Sequence, residues 1–149
     1  MKQEYLTLLL AIERLHRRFL DVVKAELDRL GIEEVNNVQT LILYNIGDAN
    51  ITVGELTQRG YYLGSNVSYN IKKLVESDYL IQERSPHDKR SVKVRLSQKG
   101  LDLIGKIDNF FQRNVEDLGK RGFTSEQIKG LISNLRVVET YWSDNIAGI

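Results

Sequence analysis

Between Ile51 and Leu96 the spacing of apolar residues changes from helical to alternating, and this change limits the folds open to the chain. Thr52 and Glu55 have capping-box spacing, with Ile51 and Leu56 at the two staple positions, so a short helix starts here and ends near Arg59–Gly60. Another helix begins near Gly64–Ser65, buries Val67, Ile71, Leu74 and Val75, and ends near Ser77–Asp78, where aspartate tolerates a left-handed turn. Then Tyr79–Arg84 reads as a strand, and Ser91–Leu96 alternates strictly, with Val92, Val94 and Leu96 on one face. The charged segment between them holds Pro86, the only proline, and is expected to be a turn. Two short helices joined by a tight turn and followed at once by a hairpin describe a winged helix-turn-helix.

The flanks are long helices. Tyr5, Leu8, Leu9, Ile12, Leu15, Phe19, Val22, Val23, Leu27 and Leu30 recur at gaps of mostly three and four, with Gly31 as the stop. A second helix is expected over about Glu33–Ile46, with acidic residues in its first turn and Val35, Val38, Leu41, Ile42 and Ile46 on its buried face. After the hairpin, Ser97 can cap a helix carrying Leu101, Ile104, Phe111, Val115 and Leu118, broken by Gly119 and Gly122. Thr124 and Gln127 form another capping box, opening a last helix whose expected buried face is Ile128, Leu131, Ile132, Leu135, Val138 and Trp142. The expected class is mainly α (α+β). Residues 32–96 form the winged lobe and residues 1–31 and 97–149 the dimerisation helices of one compact protomer, whose apolar stripes a symmetric dimer would cover.

The whole chain has a net charge of +1, but residues 52–95 carry +3, which leaves −2 for the rest. A basic middle suits a module that faces nucleic acid. The candidate DNA-contacting residues are Thr52, Ser65, Asn66, Ser68, Tyr69, Lys72, Lys73, Arg84, His87, Asp88, Lys89 and Arg90. Asparagine reads adenine edges, serine reads several bases, and lysine reaches guanine or phosphate. At the hairpin tip, an arginine can enter a narrow minor groove, and the neighbouring Asp88 can orient the Arg90 guanidinium. A polar helix face and a solvated charged turn are each common in soluble proteins. Their immediate succession favours DNA.

The stretch Leu74–Arg84, then Asp88-Lys89-Arg90, then Leu96-Ser97-Gln98-Lys99-Gly100 resembles the MarR family of winged helix regulators. The resemblance covers nearly the whole chain. It departs at Asp78, where the family often has glycine, and at a wing tip that lacks a doubled Asp-Arg. It implies a homodimer on palindromic promoter DNA, usually a repressor, released by a small aromatic or phenolic effector. By the same resemblance, His16, Phe19, Thr40, Tyr44, Phe110 and Phe111 are the candidate ligand-binding residues; Phe19 and Phe111 also lie on apolar stripes and suit core or dimer seam.

Without cysteine, disulfides, thiolate metal sites and thiol nucleophiles are all ruled out. No cofactor or metal is expected: the only histidines are His16 and His87, and no glycine-rich phosphate loop or nucleophile–base pair is present, so an enzyme is not expected either. Without a membrane-spanning apolar run or signal-peptide core, a cytoplasmic location is expected. The competing reading is a winged helix that contacts proteins and not DNA.

Overall fold

The computed structural model describes residues 1–60, 64–88 and 91–147, with backbone alone at Gly64 and Ser65. The order is α1 (Lys2–Arg29), α2 (Asn37–Ile46), β1 (Ile51–Thr52), α3 (Val53–Gly60), α4 (Gly64–Glu76), β2 (Leu80–Arg84), β3 (Val92–Leu96), α5 (Gln98–Lys120) and α6 (Ser125–Ile146). Two compact units result, residues 1–108 and 109–149, with the boundary inside α5.

In the first unit the core gathers around α2 and α4. Leu43, Leu56, Val67, Leu74, Val94 and Ile107 are fully buried, each aliphatic side chain contributing about 1.5–3 kcal/mol. Only the C-terminal end of α1 enters this core, through Val23, Glu26 and Leu27. Gly31 stops the segment at φ +71, as its position after the apolar stripe predicts.

The second helix starts later than Glu33. Asn36 is its N-cap: its side-chain oxygen accepts from Gln39 N, and Gln39 Oε1 accepts from Asn36 N. Glu33 and Glu34 thus precede the helix. A short amide caps a first turn better than a glutamate does, because its oxygen reaches the orphan N–H groups directly. For α3 the Thr52–Glu55 box forms as expected, with Glu55 N donating to Thr52 Oγ1 at 3.1 Å.

The wing is larger than a hairpin. β1 pairs antiparallel with β3 through Ile51↔Val94 and Thr52↔Lys93, giving sheet order β1-β3-β2. Two residues are too few to show an alternation, so their sequence signals only the cap of α3. Asp78 leaves α4 at φ +65, the left-handed turn that its position predicts.

α5 docks tightly where it begins. Ser97 N donates to Tyr79 O at 3.1 Å, Ser97 Oγ to Asp78 O, and Gly100 N to Ser97 Oγ at 3.1 Å. Lys99 Nζ lies 2.6 Å from Glu34 Oε2, 3.2 Å from Ser77 O and 4.5 Å from the Tyr79 ring centre. The Glu34 carboxylate raises the Lys99 pKa, and burial raises that of the Tyr79 phenol. The buried face of α5 is Gly100, Leu103 and Ile107, whereas the expected seam residues Leu101, Val115 and Leu118 are exposed.

In the second unit α5 runs through Gly119 to Lys120, and the break comes at Gly122, with φ +86. Phe123 N donates to Leu118 O at 3.1 Å. The expected box then starts α6: Thr124 Oγ1 accepts from Gln127 N at 3.2 Å, and Gln127 Oε1 from Thr124 N at 2.9 Å. No described residue of α6 is buried in the protomer: Ile128, Leu131, Ile132 and Leu135 of the expected face stand exposed, Leu131 by 51%, and Val138 and Trp142 are half-buried. No helix among the described residues is long and apolar enough to cross a membrane.

Candidate nucleic-acid interface

α4 is held from one side only. Val67, Ile71 and Leu74 face the core, which turns Tyr69, Lys72 and Lys73 outward. Tyr69 is 61% exposed, and Lys73 Nζ lies 5.8 Å from its ring centre and 3.8 Å from Glu76 Oε2. Glu76 therefore offsets part of the Lys73 charge.

The two flanks of α4 border grooves. On one side, Ser68 lines a groove of about 490 Å³ with Thr52, Gln82, Asp88 and Ser91, between the N-terminus of α3 and the wing. Three candidates from distant parts of the sequence (Thr52, Ser68 and Asp88) thus meet at one place. On the other side, Asn66 and Tyr69 line a groove of about 320 Å³ with Asn36, Val38 and Asn70.

Arg84 and His87 are exposed, Arg84 at the outer end of β2 and His87 in the turn after it, with His87 N donating to Ser85 Oγ at 3.3 Å. Lys89 and Arg90, and the side chain of Ser65, lie outside the described residues.

Other basic residues of this segment already have partners. Arg95 pairs with Glu83 at 3.2 Å, and Arg59 donates to Asn45 O at 3.0 Å. Lys93 was not among the candidates, although it alternates outward on β3 and is exposed. Gln39 was also missed. It is buried, yet it donates to Asn70 Oδ1 on α4 at 3.2 Å. Its signal was the Asn36-x-x-Gln39 spacing.

The ligand candidates divide between the two units. His16 and Phe19 are exposed on α1. Thr40 is fully buried, and its hydroxyl donates to Asn36 O at 2.8 Å. Tyr44 donates its phenol to Asp108 Oδ1 at 3.0 Å, and that bond raises its pKa. In the second unit the Phe110 and Phe111 ring centres lie 5.7 Å apart, and the Arg113 guanidinium sits 5.7 Å from the Phe110 centre.

The sequence profile of the MarR family matches residues 34–91, which run from the approach to α2 through α3 and α4 into the wing. The chain is 46% identical over 99 residues to the exopolysaccharide II synthesis transcriptional activator ExpG of Rhizobium meliloti. That alignment covers 66% of this chain and 51% of the relative, so the chain spans about half of ExpG. A Staphylococcus aureus MarR in complex with salicylate and kanamycin has a similar fold, at TM-score 0.77 and 20% identity over 96% of this chain and 93% of that one. The S. aureus MepR–DNA complex superposes at TM-score 0.74 and 15% identity, covering 88% and 95%. At such identities the likeness is one of fold.

Proposed function

We propose that the chain is a regulator of the MarR family, whose profile it matches over residues 34–91, and that it regulates transcription by binding palindromic promoter DNA as a homodimer. The observation that carries the reading is the outward polar face of α4, set beside the groove where Thr52, Ser68 and Asp88 converge. A helix held from behind by Val67, Ile71 and Leu74 can enter a major groove, and the wing can follow the backbone or the adjacent minor groove. MepR, which shares the fold, was solved with DNA. Homodimerisation is supported by apolar residues left uncovered in the protomer: Leu6, Leu10 and Leu15 on α1 and Leu131, Ile132 and Leu135 on α6. The relatives are regulators, and no catalytic role is assigned. A cytoplasmic location is part of the reading.

A gel-shift titration with the duplex upstream of the protein's own gene tests it at low salt. A shifted complex supports the reading, and no complex at any protein concentration contradicts it. Arg90→Ala is expected to weaken that complex about ten- to hundredfold while the oligomeric state stays unchanged, because it removes one cation from the basic 52–95 segment. Unchanged affinity would remove Arg90 from the interface.

The direction of regulation has two supports. The family resemblance implies repression, and the relative with 46% identity is named an activator. A promoter reporter in a deletion strain separates them: rising expression marks a repressor, falling expression an activator.

The proposed effector is a small aromatic or phenolic ligand. Salicylate, seen with the S. aureus MarR, is the first probe. Binding would raise the thermal midpoint, by an amount that grows with the logarithm of ligand concentration above Kd. An unmoved midpoint at millimolar salicylate would count against this class of ligand.

A further inference from the structure

A side-chain bridge joins α2 to α4, and chemistry fixes the orientation of each of its amides. The Asn36 backbone N–H can only donate, and it meets Gln39 Oε1 at 3.1 Å. The Gln39 amide nitrogen must then point away from the cap, and it donates to Asn70 Oδ1 at 3.2 Å. This leaves Asn70 Nδ2 to donate to Asn66 O, one turn earlier on α4, at 2.9 Å. The same turn of α2 is tied to α1, because Asn37 Nδ2 donates to Leu20 O at 3.1 Å while Asn37 Oδ1 accepts from Val38 N at 2.8 Å.

Apolar packing alone does not set the rotation of α4. Val67, Ile71 and Leu74 supply non-directional burial, which tolerates a small roll of the helix. On the flank beside Asn66 and Asn70, α4 is separated from α2 by the 320 Å³ groove. The Gln39–Asn70 bond crosses between the helices there. Gln39 is 7% exposed, so a rolled helix would leave a buried amide without its acceptor, which is unfavourable.

We propose that Gln39 is a positioning residue for DNA reading, acting through Asn70 to fix the rotation of α4 and hence the angle at which Tyr69 and Lys72 meet the bases. The Asn70 amide is thereby held in one orientation, with one lone pair of Oδ1 taken by Gln39 and one hydrogen of Nδ2 by Asn66 O. This inference rests on the DNA-binding reading above.

The test uses a duplex that the wild-type protein selects from a random-sequence library, with a scrambled duplex as reference. Affinities for both are measured for Asn70→Ala, Gln39→Met and the double variant, each checked by thermal unfolding. Asn70→Ala keeps the α2 cap intact and places a strong helix former on α4. Each single variant is expected to lower the ratio of selected to scrambled affinity about tenfold, and the double variant no further than either one. Scrambled-duplex affinity, which reports phosphate contacts, should stay within about twofold. A wild-type ratio in Gln39→Met, single effects that multiply in the double variant, or a parallel loss of both affinities would each overturn the proposal. A wild-type protein that selects no duplex overturns the DNA-binding reading itself, which is a distinct result.

Discussion

Replacing Leu131 and Leu135 together by glutamate is expected to turn a dimer into folded monomers and to lower affinity for a palindromic duplex about 10²–10⁴-fold. Both side chains are exposed in the protomer, by 51% and 41%, so the charges disturb no core within the chain. In a dimer the same charges would be desolvated against an apolar partner, which is costly. A monomer keeps α4 and the wing but loses the second half-site, and with it the gain from tethered binding. Sedimentation and circular dichroism check the first part, and anisotropy on the duplex the second. A variant that remains dimeric, or a monomer that binds as well as the wild type, would dissociate this α6 face from DNA binding.

Gly100→Ala is expected to destabilise the protein by about 2 kcal/mol, although alanine is the better helix former. A Cβ at this position would collide with the Tyr79 carbonyl oxygen and approach Leu96 Cγ to 3.1 Å. That carbonyl already accepts from Ser97 N, so it cannot move without loosening the start of α5. Gly105 lies on the same helix with nothing within 4 Å of a built Cβ. Gly105→Ala should therefore stabilise, by up to about 1 kcal/mol. Thermal or urea unfolding of the two variants reads opposite signs. Equal signs would show that helix propensity, and not the contact with Tyr79, governs position 100.

Local signals in the sequence were the most legible. The Thr52–Glu55 and Thr124–Gln127 boxes, the turn glycines at 31 and 122, and the left-handed Asp78 depend on a few neighbouring residues, and all form as expected. The start of α2 was misplaced because Glu33 and Glu34 suit a first turn, while Asn36 and Gln39 supply both bonds of the actual cap. α5 carries two overlapping apolar stripes. Which one is buried depends on tertiary neighbours, and the first unit takes Leu103 and Ile107. The same holds at the site. The outward residues of α4 follow from its helical period, but the commitment of Asn70 to Gln39, 31 residues away in sequence, does not.

The central claim is that α4 and the wing bind duplex DNA, and salt dependence tests it most directly. Fluorescence anisotropy with the selected duplex should give tight binding at low salt, with log K falling linearly as log salt rises and a slope that reports the number of phosphates neutralised. The scrambled duplex should bind more weakly over the same range. Absence of binding to both duplexes at the lowest salt would contradict the account and leave the winged helix as a protein-contact module.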